Sequence, residues 1–329
     1  MKTFTYLRPP NPQAAVEAAT THRARYVAGG TNLLDLMREG VEQPTGLVDV
    51  SELSTGIRRD IDGTLVLGAG ATNTAVAEHS DVRTWFPLIS RSILNGASGQ
   101  IRNMATVGGN LLQRTRCLYF YDATTRCNKR VEGSGCDAVE GDHHNHAILG
   151  ASPSCAATHS SDLCVALAAL DASVHVLGPD GERTIDLLEF HELPGDRPSV
   201  ENVLGPHELI TSVSVPPLSY GHRSTYRKVR ERTSYAFALV SVAAALDIED
   251  GVVRDARLAL GGVAPKPWRA TGAEALLRGA RATGDEFRRA AEAVVEDASP
   301  LRDNAYKIPL ATRTVVATLE HLAGAEARS

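Results

Sequence analysis

The segment from residue 115 to residue 154 limits the folds open to this chain more than any other feature, because hydrophobic periodicity disappears there. Glycines and a His-His-Asn-His cluster interrupt every helical or strand pattern in it. A stretch of this length inside a compact chain needs something other than its own secondary structure to order it. Four of the five cysteines lie in or next to it, at Cys117, Cys127, Cys136 and Cys155. These cysteines are therefore candidate ligands of a metal ion or cluster.

The cysteine spacing alone leaves the identity of that group open. Four thiolates are what a tetrahedral Zn²⁺ ion or a [4Fe–4S] cluster requires, and either would order the segment. The separations of ten, nine and nineteen positions contain no Cys-x-x-Cys pair, which counts against the usual structural zinc site. Disulfides are a further interpretation if the protein meets an oxidising compartment without its cluster.

Two other sets of candidate ligands are placed outside the site. Cys164 belongs to the apolar pattern "DLCVALAAL" and is predicted to be a small core residue. His143, His144 and His146 lie in a polar stretch, where histidines are usually exposed to solvent.

Composition excludes several classes of function. The chain has 329 residues, of which 43% are hydrophobic, so it is expected to be globular and to form two or three packed domains. A formal net charge of -5, without a basic block, argues against nucleic-acid binding. No window reaches the length of a membrane span, and no export signal is recognisable at the N-terminus.

Outside the irregular segment the chain alternates short strand and helix patterns, which predicts an α+β fold. Strands are expected at Lys2–Leu7, Arg25–Ala28, Gly46–Val50, Thr64–Leu67 and Ser173–Leu177, with a new block of strands from Ser224. Helices are expected from Pro12 to Ala19, Leu33 to Arg38, about Val82 to Ala97, Asp162 to Ala169 and Glu286 to Val295. Pro216-Pro217 suggests a boundary between an N-terminal domain, 1–217, with an insertion at about 114–156, and a C-terminal domain, 218–329.

Two glycine turns with adjacent Thr and Asn side chains suggest an anion-binding cradle. "VAGGTN" ends at Asn32, and "NMATVGGNLLQ" starts at Asn103. Glycines let the backbone approach a ligand closely, and consecutive amide groups form a concavity that attracts phosphate. The stretch "VLGAGATN" lacks the third glycine of a dinucleotide fingerprint, so it is interpreted as a strand running into a helix capped by Thr72.

Four stretches together resemble the FAD-binding medium subunit of the xanthine dehydrogenase family of molybdenum hydroxylases. They are "AGGTNLLDLM", "ATVGGNL", "SSDLCVALAALDA" and "YRKVRERTSYAFALVSVAAAL", in the family's order and spacing. The resemblance implies a two-part FAD domain of the vanillyl-alcohol oxidase (PCMH) type, followed by a C-terminal α+β domain of the CO dehydrogenase flavoprotein type. The cysteine segment is similar to that of bacterial periplasmic aldehyde oxidoreductases, whose FAD subunit carries an additional [4Fe–4S] cluster.

The resemblance also implies the residues of the cofactor site. Residues Ala28, Gly29, Gly30, Thr31, Asn32 and Leu33 would wrap the FAD diphosphate, and Ala105, Thr106, Gly108 and Asn110 would line its other side. Ser161 and Asp162 would hold polar groups of FAD, Ile210 would pack on it, and Lys228 would lie near the flavin. Cys117, Cys127, Cys136 and Cys155 would ligate the cluster. No catalytic residue is assigned.

The implied function is electron transfer inside an oxidoreductase complex. Similar proteins bind a large molybdopterin subunit and a small subunit with two [2Fe–2S] clusters, as a heterotrimer or a dimer of heterotrimers. Electrons would pass from those centres through FAD to an external acceptor. The location would be cytoplasmic, or periplasmic by export together with a partner that carries a twin-Arg signal. The alternatives are a stand-alone flavin oxidase or reductase of the same fold and a zinc-stapled binding module without redox function.

Overall fold

The computed structural model describes residues 2–326, which form three sheets with helices packed around them. A parallel sheet in the order β1-β3-β2 comes first along the chain. An antiparallel sheet in the order β4-β5-β8-β6-β7 follows, and an antiparallel sheet in the order β12-β11-β10-β9 comes last. The predicted α+β class is therefore confirmed.

The strands and helices have the following bounds. The strands are β1 Thr5–Leu7, β2 Arg25–Val27, β3 Gly46–Asp49, β4 Ile57–Arg59, β5 Leu65–Gly68, β6 Ser173–Gly178, β7 Gly181–Asp186, β8 Leu209–Val215, β9 Ser224–Val229, β10 Val240–Glu249, β11 Val252–Gly261 and β12 Trp268–Arg269. The helices are α1 Pro12–His22, α2 Leu33–Arg38, α3 Asn73–Glu78, α4 Ser80–Trp85, α5 Pro87–Asn95, α6 Gly99–Met104, α7 Val107–Leu111, α8 Leu118–Tyr121, α9 Asp137–Glu140, α10 Asp162–Ala169, α11 Leu187–Phe190, α12 Thr271–Leu277, α13 Gly284–Val294 and α14 Lys307–Glu326.

Local sequence signals explain several of these boundaries. Asn11 caps α1 by accepting a hydrogen bond from the Ala14 amide at 2.8 Å, and Pro12 occupies the first turn, as predicted. Thr72 caps α3 in the same way, as predicted, through the Ala75 amide at 3.2 Å. Cys164 is fully buried in α10, which confirms its prediction as a core residue.

Two element predictions are wrong. The single helix expected from about Val82 to Ala97 is divided into α4 and α5, because Phe86 leaves the helical conformation just before Pro87. The second glycine turn is the short helix α7, which begins after the Thr106 cap.

Residues from the C-terminal part of the chain pack into the hydrophobic core of the N-terminal part. Tyr226, Ala243 and Ala259 of the last sheet pack in the cluster built around α10 and the five-stranded sheet. Arg269 of β12 donates to the Ala168 carbonyl at the end of α10 and pairs with the buried Glu274. Helix α10 therefore lies between the two antiparallel sheets. Within residues 2–326 no helix combines the length and the apolarity needed to cross a membrane.

Candidate functional site

Two adjoining cavities form a continuous cleft beside α10. The first has a volume of about 640 Å³ and the second about 600 Å³. Thr31, Asn32 and Gly109 line both, so the cavities meet between the first glycine turn and α7. A two-part cleft of this size suits an extended ligand whose two ends are joined by a narrow middle.

All fourteen residues predicted to contact the cofactor lie on the walls of this cleft. The first cavity is lined by Ala105, Asn110, Ser161, Asp162 and Lys228, the second by Ala28, Gly29, Gly30, Leu33, Thr106, Gly108 and Ile210, and both by Thr31 and Asn32. These residues come from both halves of the chain, and the fold brings them together. Their individual contacts with FAD stay a prediction.

No other residue type can replace the glycines of the first turn without a movement of the surrounding atoms. A Cβ atom at Gly29 would lie 1.7 Å from the Met104 carbonyl oxygen, inside the backbone at the end of α6. Gly30 has a φ of 70°, in the left-handed region that favours glycine. The turn therefore packs directly on the segment that leads into α7, and the two form the narrow middle of the cleft.

Helix α7 is fixed by hydrogen bonds from three directions. The Thr106 hydroxyl caps it by accepting from the Gly109 amide at 3.3 Å, and the Gly108 amide donates to the Ala69 carbonyl at 2.8 Å. The Asn110 side-chain carbonyl accepts from the Ser161 hydroxyl at 2.5 Å, which links α7 to the start of α10. The predicted residues of the two segments are thus held in one rigid wall.

A buried ion pair joins α10 to the C-terminal sheet at the first cavity. The Lys228 ammonium lies 2.7 Å from one carboxylate oxygen of Asp162, and the Tyr226 hydroxyl donates to the other at 2.6 Å. The Lys228 side chain is only 1% exposed, so it is not a solvated strand lysine. Burial and the Asp162 charge raise the pKa of Tyr226 well above its ordinary value, so it remains a donor. Sequence reasoning did not include Tyr226 in the site, although it stands two positions before Lys228 in the same strand.

Several polar atoms on the first cavity wall have no hydrogen-bond partner among the described residues. They are Asn73 Oδ1, His146 Nδ1 and His159 Nε2, each inaccessible to solvent. Buried polar atoms are normally paired, so such atoms indicate a missing polar partner in the cavity. The sequence did not indicate Asn73 or His159, and His146 was placed outside the site, because no pattern along the chain marks which polar side chain will face a cavity.

The four candidate cysteine ligands are brought together next to the first cavity. All four are free thiols, and Cys127 and Cys136 lie opposite each other in an antiparallel bridge. Burial, together with negative charge on Cys155 and Cys127, raises the pKa of Cys117 to about 12. Burial likewise raises the pKa of Cys155, with added contributions from Cys136 and Cys127. The thiols are therefore close enough for the charge on one to act on the others, which is the arrangement that a shared cation would stabilise.

Backbone amides and the Lys129 ammonium act on these sulfur atoms. The Ala157 amide donates to Cys155 Sγ at 3.5 Å. Burial raises the pKa of Cys117 and Cys136, and the amides that follow each of them offset part of that rise. The Lys129 ammonium also lowers the pKa of Cys155. The Arg130 guanidinium donates to three carbonyls, those of Tyr119, Phe120 and Thr125. The segment is thus folded around the sulfurs by polar contacts, with only α8 and α9 as regular elements.

The prediction of exposed histidines is wrong for two of the three. His143 is 1% exposed and His146 is 6% exposed. The His143 ring accepts from the Asp303 amide at 2.9 Å, and the Lys307 ammonium donates to the His146 carbonyl at 3.0 Å. Both partners come from the C-terminal part of the chain, about 160 positions away, so no local pattern could indicate them.

His144, the third of these histidines, is partly exposed. Its side chain is 42% exposed, pairs with Glu231 at 3.3 Å and stacks on Tyr306 with ring centroids 4.5 Å apart.

Comparison with known proteins identifies the family. Residues 2–218 match the family described as the FAD binding domain in molybdopterin dehydrogenase. This chain belongs to that family. Residues 224–322 match a second family, the CO dehydrogenase flavoprotein C-terminal domain. The predicted family and fold class are thus confirmed, and the chain is an FAD-binding oxidoreductase subunit of the molybdenum hydroxylase family.

Individual relatives cover almost the whole chain. The aldehyde oxidoreductase FAD-binding subunit PaoB of Escherichia coli (strain K12) is 48% identical, over 100% of this chain and 99% of the relative. The carbon monoxide dehydrogenase medium chain of Afipia carboxidovorans is 26% identical, over 84% and 80%. Among solved structures, a chain of the carbon monoxide dehydrogenase from Hydrogenophaga pseudoflava superposes with a TM-score of 0.75 at 25% identity, covering 97% of this chain and 96% of that one.

Proposed function

We propose that this chain is the FAD-carrying electron-transfer subunit of a molybdenum-containing aldehyde oxidoreductase and that Cys117, Cys127, Cys136 and Cys155 hold a [4Fe–4S] cluster. The observation that carries the proposal is the convergence of four free cysteines next to the cavity that contains Asp162 and Lys228. The aldehyde oxidoreductase part rests on the full-length likeness to the subunit of that name.

The fourteen cleft residues are proposed to bind FAD, with the diphosphate at the narrow middle. The first glycine turn and α7 meet there, with Thr31 and Asn32 on the wall of both cavities. FAD, when bound, supplies the chemistry of one- and two-electron transfer. The chain's own residues would orient FAD and exclude water, and the Asp162 and Lys228 pair, which lines the first cavity, would be placed to act on it.

A cluster fits the cysteine segment better than a single zinc ion does. With zinc–sulfur bonds of about 2.3 Å, tetrahedral geometry brings thiolates to roughly 3.8 Å from one another. Within residues 2–326, three candidate ligand atoms lie within 4.8 Å of one another only in the group His159, Cys164 and His191. No three of the four cysteine sulfurs lie that close together. The wider spacing supports a larger centre. Amide and cationic groups around the sulfurs offset the negative charge such a centre carries.

Partner subunits follow from the names of the relatives. Several are called medium chains, and one is called a subunit of a dehydrogenase complex. We propose a large molybdopterin-binding subunit and a small [2Fe–2S] subunit as the partners, in a heterotrimer or a dimer of heterotrimers. The aldehyde would be oxidised on the large subunit, and this chain would pass the electrons on to an external acceptor. The isolated chain is then expected to have no aldehyde-oxidising activity of its own.

The test is quantification of iron, acid-labile sulfide, zinc and flavin in the anaerobically purified full chain. We expect about four irons and four sulfides for each FAD. Cys136→Ser should lose the iron and keep FAD, because the FAD cleft does not contain Cys136. Cys164→Ser is the matched control and should keep both, since Cys164 lies in the core of α10. Zinc in place of iron, or full iron retention in Cys136→Ser, would contradict the cluster proposal.

A further inference from the structure

His146 contacts one of the proposed cluster ligands directly. Its Nε2 atom lies 3.2 Å from Cys117 Sγ, within the range of a hydrogen bond to sulfur. A cysteine sulfur that ligates a metal carries no proton and can only accept, so Nε2 has to carry the hydrogen and donate.

The contact lies where the cysteine segment meets the first cavity. Cys117, Leu118, Asn145 and His146 all line that cavity, together with Asp162 and Lys228. His146 is thus shared between the proposed cluster and the proposed flavin site. The Nδ1 atom of the same ring is buried and has no partner among the described residues.

The imidazole is held in this position from the C-terminal part of the chain. The fully buried Lys307 ammonium donates to the carbonyls of Asn145, His146 and Gly262, at 3.0, 3.0 and 2.8 Å. Asn304 also donates to the His146 carbonyl, at 3.2 Å. Buried hydrogen bonds therefore fix the backbone of His146, so the bond that its imidazole donates to sulfur has a defined direction.

We infer that His146 is a positioning residue that sets the reduction potential of the cluster by donating a hydrogen bond to the sulfur of Cys117. The inference rests on the cluster assignment made above. Hydrogen bonds to ligand sulfurs are among the factors that set cluster potentials. A reduced cluster carries one more negative charge than an oxidised cluster, so a donated N–H stabilises the reduced state more and raises the potential. Removing the donor should make reduction of the cluster less favourable.

The variants His146→Leu and His146→Gln test this inference in the full chain with its cofactors. Leu removes the donor, whereas the side-chain amide of Gln retains one near the position of Nε2. For His146→Leu we expect an approximately tenfold loss in the equilibrium constant for one-electron reduction, which corresponds to about 59 mV. His146→Gln should lose less. The readout is a redox titration followed by the electron paramagnetic resonance signal of the reduced cluster, with iron and FAD measured in the same samples.

His144→Leu is the matched control from the same loop. His144 points to Glu231 and Tyr306, so its removal should leave the cluster potential unchanged. Unchanged potentials in both His146 variants with iron retained would overturn the inference, and so would loss of iron in His146→Gln, because His146 would then be a ligand or a structural residue. A wild-type chain without iron would instead contradict the proposed function itself, which separates the two failures.

Discussion

His191 shows how strongly the interior acts on a single residue. Its side chain is 5% exposed, and Nε2 donates to the Leu111 carbonyl at 3.0 Å. Burial lowers its pKa from 6.5 to about 4, because the charged imidazolium loses its hydration inside the protein. His159, whose ring lies 4.5 Å away, has a pKa lowered in the same direction by burial and by His191. Both rings are therefore neutral in the folded protein at neutral pH.

The His191 pKa predicts that the protein loses stability in mild acid. Between pH 6.5 and about 4 the unfolded chain binds a proton at His191 that the folded chain does not, so unfolding becomes easier as the pH falls. The loss from this residue should reach about 3 kcal/mol at the lower end of that range. Urea denaturation at a series of pH values measures it. His191→Gln keeps a donor for Leu111 and should reduce the pH dependence by the share of His191, with that of His159 remaining, while leaving stability at pH 7.5 nearly unchanged. An equally steep dependence would refute the assignment.

At the scale of elements, the close approach of the first glycine turn to α6 predicts the effect of one added methyl group. Gly29→Ala would place Cβ 1.7 Å from the Met104 carbonyl oxygen, so the turn and the start of α7 would have to separate. Because this junction is the narrow middle of the cleft, we expect FAD affinity to fall at least tenfold. Flavin content per protein after gel filtration reports the change. Gly272→Ala, in α12 with open space around it, is the control and should keep full flavin content.

The elements also show how far sequence reasoning reaches. Where one residue sets a boundary, as Asn11 and Thr72 do, the element could be predicted from the sequence. The break before Pro87 was missed because the apolar pattern continues across it. The burial of His143 and His146 depends on Asp303 and Lys307, whose distance along the chain hides the contact. Glycine turns and cysteines indicated the cleft region, but its unpaired polar atoms became visible only in the folded chain.

At the scale of the whole molecule, the ion pair between Lys228 and Asp162 ties the C-terminal sheet to α10. Lys228→Met would leave the Asp162 carboxylate, itself about 10% exposed, without its cation. Breaking a buried pair from one side costs about 3–5 kcal/mol, and we expect a loss of that size in the free energy of unfolding. Urea denaturation of the flavin-free protein measures it. Arg58→Met, which breaks an exposed pair with Asp60, should cost about 1 kcal/mol or less. Equal effects of the two substitutions would show that the pair does not join the halves.

The first cavity draws its wall from Thr31 near the start of the chain and from residues as late as Gly262. A nascent chain that has reached only residue 217 contains both glycine segments but lacks Lys228, Ser241 and the strand ends that complete the enclosure. On the proposed assignment of this cleft to FAD, we expect flavin capture to follow delivery of most of the C-terminal part by the ribosome. We therefore expect a shortage of flavin to leave a full-length apoprotein that can still be loaded after translation.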